Sequence, residues 1–122
     1  MYLERHTVTV TTAADGSATA YTPVVNGRVL QIDYVKSTFS DGVDFTITAD
    51  TAGTTIWTEA NVNTSKTCCP RQATHSTAGV AALYAAAGTA VNDCVGLAND
   101  RVKIVIASGG AVTTGTFHVI IG

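Results

Sequence analysis

The sequence predicts an all-β fold: a single-domain antiparallel β-sandwich or jelly-roll-like fold of seven or eight short strands with one long loop. Three observations predict it. Threonine and alanine supply 21 and 18 of the 122 residues, against only 16 charged side chains. Threonine alternates with valine over Thr7-Val8-Thr9-Val10-Thr11, the period-two pattern of a half-buried strand with a hydroxyl-bearing outer face. Short apolar alternations then recur along the chain between Gly, Asn and Asp turn signals, as in sandwiches and barrels. This length fits one core, so residues 1–122 read as one domain.

Residues 1–6 precede the first alternation and read as a possible contact arm. The first strand spans Thr7 to Ala13, with Val8 and Val10 on one face. Asp15-Gly16 signals a turn, and Ser17 to Val25 forms a second strand, giving an N-terminal hairpin. Pro23 makes this second strand an edge or ends it. Asn26-Gly27 is the strongest turn signal in the chain. Arg28 to Lys36 follows as a third strand, with Leu30, Ile32 and Tyr34 facing the core.

Ser40-Asp41-Gly42 turns into the cleanest half-buried strand, in which Val43, Phe45 and Ile47 point inward and Asp44, Thr46 and Thr48 outward. Asp50 to Gly53 closes it, and Thr54 to Thr58 carries Ile56 and Trp57. Residues 59–77 have no period and exceed an ordinary connection, which marks a functional or mobile loop. Thr77 to Gly88 admits three readings: a short alanine-rich helix, an irregular excursion, or a strand. Ala90 to Leu97 reads as a strand with Val91, Val95 and Leu97 aligned. Arg101 to Ala107 aligns Val102, Ile104 and Ile106, and Gly115 to Ile121 aligns Phe117, Val119 and Ile121. These last two strands, joined at Gly109-Gly110, form a terminal hairpin central to the core.

The residues offer little chemistry. The formal charge is −2, and its scattered cations (Arg28, Lys36, Lys66, Arg71, Arg101, Lys103) give no nucleic-acid footprint. No run approaches the length of a membrane helix. Met1-Tyr2-Leu3-Glu4-Arg5 opens no secretory signal, so the chain is expected to fold in a cytoplasm. Cys68, Cys69 and Cys94 make a poor disulfide framework and suit a reducing compartment. A Cys68–Cys94 or Cys69–Cys94 bridge remains open in an oxidised sample. His75 beside Cys68 and Cys69 lacks zinc-ligand spacing, and Asn63-Thr64-Ser65 is a chance glycosylation match. Ser108 lacks a nucleophile elbow, and no phosphate loop or carboxylate pair stands out. The expectation is no cofactor, no metal and no enzymatic activity.

Surface contact is the remaining mode of action. Trp57 either stands out as an interface anchor or packs beneath the long loop with Ile56 on the wet side. Asn63, Arg71 and His75 lie in that loop, and Tyr84 just beyond it. Val35, Val105 and Ile120 put apolar groups on supposedly wet faces, which a partner subunit would cover.

Several strings give the chain an end-to-end resemblance to small proteins encoded among tailed-phage virion genes. They are Thr19-Ala20-Tyr21-Thr22-Pro23, Gly27-Arg28-Val29-Leu30-Gln31-Ile32, Pro70-Arg71-Gln72-Ala73-Thr74-His75, Arg101-Val102-Lys103-Ile104-Val105 and Gly115-Thr116-Phe117-His118-Val119. The resemblance implies a virion structural role without catalytic residues, first of all capsid decoration (cement). Such a protein clamps neighbouring major capsid protein subunits against internal DNA pressure, and a homo-oligomer, a trimer by preference, would suit the shell lattice. It would sit on the virion surface after assembly in the host cytoplasm. A head–tail joining or tail role is the runner-up, and a host- or carbohydrate-binding β module is a further class.

Overall fold

The structure, a computed structural model, describes residues 2–122. Eleven strands occur among the described residues: β1 (Glu4–Thr11), β2 (Ala18–Tyr21), β3 (Val25–Lys36), β4 (Val43–Ala49), β5 (Thr55–Val62), β6 (Lys66–Cys68), β7 (Gln72–Ala73), β8 (Asn92–Asp93), β9 (Val95–Asp100), β10 (Val102–Ala107) and β11 (Thr114–Ile121). The excess over seven or eight comes from β6, β7 and β8, which are three, two and two residues long. Pieces this short carry no legible alternation.

Every pairing is antiparallel. One sheet runs β1-β11-β3-β6, with β9 also on β3, and a second runs β2-β10-β4-β5. Their apolar faces meet in one core, giving a sandwich-like body. Phe45 of the second sheet touches both Tyr34 and Phe117 of the first, with ring centroids 5.2 Å apart in each case. Trp57 stands edge-on to Phe45 at 4.9 Å, and Phe39 stacks on Tyr34 at 6.1 Å. Such pairs contribute about 0.5–1.5 kcal/mol each beyond the area they bury.

The alternations of β4, β10 and β11 point inward as expected, with Val43, Phe45, Ile47, Val102, Ile104, Ile106, Phe117, Val119 and Ile121 all buried. The two expected hairpins are corrected. β1 pairs with β11 and β2 with β10, so the Asp15-Gly16 turn carries the chain between sheets. β10 and β11 are likewise central strands of different sheets. The turns at one end interlock instead. Gly109 N–H donates to the Gly16 carbonyl at 2.9 Å and Ser40 N–H to the Gly109 carbonyl at 2.9 Å. The buried Thr12 hydroxyl donates to the Gly110 carbonyl at 2.6 Å and accepts from Thr113 N–H at 2.8 Å. Partners so remote in sequence are invisible to local pattern.

Asn26-Gly27 does not turn the chain either. It lies inside β3 at a bulge, where Gly27 takes a φ of 137°. A Cβ there would meet Ile121 Cγ2 at 3.0 Å and the Gly122 carbonyl oxygen at 3.2 Å. The glycine thus permits close approach of the C-terminus, and the Asn26 side chain accepts from Asn99 N–H at 2.7 Å. A second bulge leaves Leu30 unopposed between Val29 and Gln31, so Val29 replaces it in the core. A third, between Ile47/Thr48 and Trp57/Thr55, turns both Ile56 and Trp57 inward, because the two residues of a bulge share one partner. The expectation that one of them faces outward is corrected. Pro23 does follow the end of β2, an edge strand. Residues 4–6 of the expected N-terminal arm are paired in β1.

The far end closes on Asp100, whose carboxylate accepts from the backbone N–H of Thr51, Ala52 and Arg101 at 2.9, 3.1 and 2.8 Å. It is shallowly buried, with 4% of its surface exposed. The Thr51 bond first, then those from Ala52 and Arg101, hold its pKa below the usual carboxylate value. A depressed folded-state pKa gives stability that is complete above the unfolded value, about 3.9. That stability drains as pH falls through the folded value. Asp100→Asn is therefore expected to lower the urea midpoint at pH 7, by a deficit that shrinks as pH is lowered through the acid range. Parallel midpoint curves over that range would show that Asp100 does not titrate with folding. Gly115 tests the core, since a Cβ there would lie 2.5 Å from the Phe39 ring. Gly115→Ala is expected to destabilise by about 1–3 kcal/mol in urea unfolding.

Candidate contact surface

β3 is twelve residues long, and one of its edges is covered by two strands in line. β6 pairs with Ile32–Tyr34 and β9 with Val25–Val29. The chain leaves this edge at Cys69 and returns at Cys94, so residues 69–94 form an insertion in a divided edge strand. Pro70 is buried at its root, where Arg71 donates from Nη1 to the Pro70 carbonyl at 2.8 Å.

Beyond the root the insertion folds on itself as a branched arm. β7 and β8 make the stem. One branch is a hairpin closed by the His75–Ala81 bridge, and the other by the Leu83–Ala90 bridge. The three segments meet where Ala82 N–H donates to the Thr74 carbonyl at 3.0 Å, Val91 N–H to Ala82 at 2.9 Å, and Thr74 N–H to Val91 at 2.9 Å. Each junction residue gives one amide bond and takes another, and all three are half-buried. Glycines at the branch turns release the chain, with Gly79 at a φ of 76°. The residues 77–88 thus take the irregular-excursion reading, and neither a helix nor a regular strand forms.

Almost everything else on the arm faces solvent. Val80 is 65% exposed and Tyr84 76%, with Leu83 exposed between them. Residues 72–92 contain no Asp, Glu, Lys or Arg. Soluble surfaces ordinarily carry about a quarter to a third of such residues. An uncharged projection bearing Val80, Leu83, Tyr84 and several alanines therefore suits close contact better than solvation.

The expected contact residues fall into separate places. Arg71, His75 and Tyr84 all lie in the insertion, at its root, at the base of one branch and on the other branch. Trp57 is buried, 6% exposed, with Nε1–H donating to Glu59 Oε1 at 3.4 Å, and offers no anchor. Asn63 is exposed, but its side chain accepts from Gly42 N–H at 2.7 Å and its carbonyl from Lys36 Nζ at 3.0 Å, so it ties down the β5–β6 turn. Val35 and Ile120 lie on the outer face of the first sheet in different rows, beside Thr116 and Gln31 respectively. Val105 lies on the second sheet in a row with Thr19 and Thr46, which Thr58 continues. These three apolar groups sit singly among polar neighbours, Ile120 between Arg5 and Gln31 and the other two beside threonines. The long loop expected over 59–77 contains the end of β5, all of β6 and β7 and part of the arm. Val80 and Leu83 were missed by residue-level reasoning, yet the charge gap over 72–92 was a readable signal.

A polar row crosses the first sheet at Thr7, His118, Asp33 and Thr67. Thr7 Oγ1 and His118 Nδ1 are 3.0 Å apart. Asp33 accepts from Gln31 at 2.8 Å and Thr67 at 2.9 Å. The row lies on an outer face, with its carboxylate engaged by neighbours other than the imidazole. Among the described residues there is no pocket, no cluster of three metal-ligating side chains, and no helix long and apolar enough to cross a membrane. Compared with protein-family models, curated proteins and solved structures, the chain matches none.

An arm that bonds to itself and buries little should be separable from the body. Replacing residues 72–93 by a short Gly-Ser turn is expected to change the urea unfolding free energy by less than about 1 kcal/mol. A several-fold larger loss would make the arm part of the core.

Proposed function

We propose that this protein is a non-enzymatic structural component of a tailed-phage virion. In this reading it decorates the capsid and bridges neighbouring major capsid subunits through the arm at residues 69–94. The observation that carries the reading is the arm itself: a self-bonded, solvent-facing projection without a formal charge from residue 72 to residue 92. The virion resemblance supplies the context, and the arm supplies a means of contact.

The body serves as a rigid β-sandwich mount. Its outer faces carry rows of threonine, including Thr9 beside Thr116 and Thr46 beside Thr58, which pack closely without the desolvation cost of charges. The near-neutral charge suits crowding of many copies on one shell. A homo-oligomer, with a trimer suiting the local symmetry of a shell, would present several arms at once and gain avidity. Neither nucleic acid nor membrane is needed as a partner.

Near-atomic imaging of the parent particle tests the proposal. Density for this chain as knobs bridging capsid subunits, with the arm at the contact, is the expected result. Density at the neck or tail would replace decoration with the head–tail or tail role, and absence from the particle would overturn the virion reading. The triple variant Val80→Asp, Leu83→Asp and Tyr84→Asp should lower the copies per particle roughly tenfold or more, the effect of about 1.4 kcal/mol of lost contact energy. Its unfolding midpoint should stay near that of the unsubstituted protein.

A further inference from the structure

Cys68 and Cys69 are adjacent in the sequence, and the strand register brings the distant Cys94 to the same root of the arm. β6 ends at Cys68 opposite Ile32, and β9 begins at Val95 opposite Val29. Cys69 and Cys94 are therefore the first and last residues of the insertion. Only Gln31 and Leu30 of β3 lie between the two pairings, and the legs themselves pair a little further out at Gln72 and Asp93. Two legs that leave one strand edge this close together and pair just beyond it run side by side at the root, the arrangement a disulfide with a Cα span of about 4.4–6.8 Å requires.

Strand alternation then selects the pair. Cys68 faces inward opposite the buried Ile32 and packs against the core. Burial foremost, with the adjacent Cys69 next, pushes its thiol pKa up. Its successor Cys69 turns to the outer face and is exposed. Val95 is fully buried, so Cys94 before it also turns outward, and it is half-buried. Successive side chains alternate faces, which puts Cys69 and Cys94 on the same side of the sheet and Cys68 on the other. All three are free thiols in the structure.

We infer that Cys69 and Cys94 are a redox-sensitive modification site, at which an intrachain disulfide ties the two legs of the arm together at its root. The Cys69 thiolate attacks a low-molecular-weight disulfide such as oxidised glutathione, forming a mixed disulfide and releasing one glutathione thiolate. The Cys94 thiolate then attacks the Cys69 sulfur and displaces the second. Two protein thiols lose two electrons and two protons, and the oxidant becomes two thiols. The bond closes the whole insertion into a loop, which fixes the arm's departure from β3 and reduces the freedom of its unfolded state. The site stands on the root geometry and does not depend on what the arm contacts.

The test incubates the native protein with oxidised glutathione, alkylates the remaining thiols under denaturing conditions, and maps tryptic peptides by mass spectrometry. Cleavage after Lys66, Arg71 and Arg101 separates residues 67–71 from residues 72–101. The expected product is a monomer lighter by two hydrogens, with these peptides joined and a single alkylated cysteine, Cys68. The link should persist in Cys68→Ala and disappear in Cys69→Ser and Cys94→Ser. A link that requires Cys68, a link found only between two chains, or full alkylation of both Cys69 and Cys94 would overturn the assignment. The unsubstituted protein decides the last two outcomes by itself.

Discussion

The body depends on a five-ring aromatic cluster that spans the gap between its two sheets. Tyr34 and Phe117 enter from one sheet, Phe45 and Trp57 from the other, and Phe39 from the connection between β3 and β4. Phe45 is the shared member, in contact with Tyr34, Trp57 and Phe117. A slip of one residue in β4 or β11 would turn its ring to solvent and break several of these pairs at once. The cluster therefore fixes the register of the central strands. Those strands in turn fix where the threonine rows and the edges lie. Its cost is visible in Tyr34, whose buried hydroxyl has no hydrogen-bond partner among the described residues.

The second constraint is the length of β3. A twelve-residue strand needs a long complement on each side, and β11 supplies one in the register Gly115–Ile121. On the other side the chain divides the task between β6 and β9 and places the arm at the division. The arm thus rises from a central, well-paired element of the fold and not from a sheet end. Its roots are held by ladder bonds to β3, and its branches are held by the three amide bonds of the junction. Exposed methyl groups on the arm cost roughly 25 cal/mol per Å² relative to burial, a cost that a contacting neighbour would remove.

The edges of the sheets are treated differently from the arm. β2 is only four residues long, and β5 carries two bulges against β4. Both devices discourage edge-to-edge pairing with other chains. β1, by contrast, pairs without interruption through eight residues of β11, and its other edge is open. The projecting arm is thus accompanied by blunted edges on the second sheet.

The sequence by itself determined the all-β class, the core faces of β4, β10 and β11, and the poverty of charge. These properties are local: alternation places Val43, Phe45 and Ile47 on one side whatever the strand pairs with, and composition needs no coordinates. Even the arm had a local trace in the uncharged stretch from 72 to 92. Only the tertiary structure decided which strands pair, since Asp15-Gly16 and Gly109-Gly110 turn the chain equally well within a sheet or between sheets. It also decided the faces of Leu30, Ile56 and Trp57, because a bulge needs a partner strand before it can exist. The junction of Thr74, Ala82 and Val91 and the placing of residues 69 and 94 at one root have the same origin. They are set by backbone pairing between residues distant in the chain, and backbone groups carry no side-chain signature in the sequence.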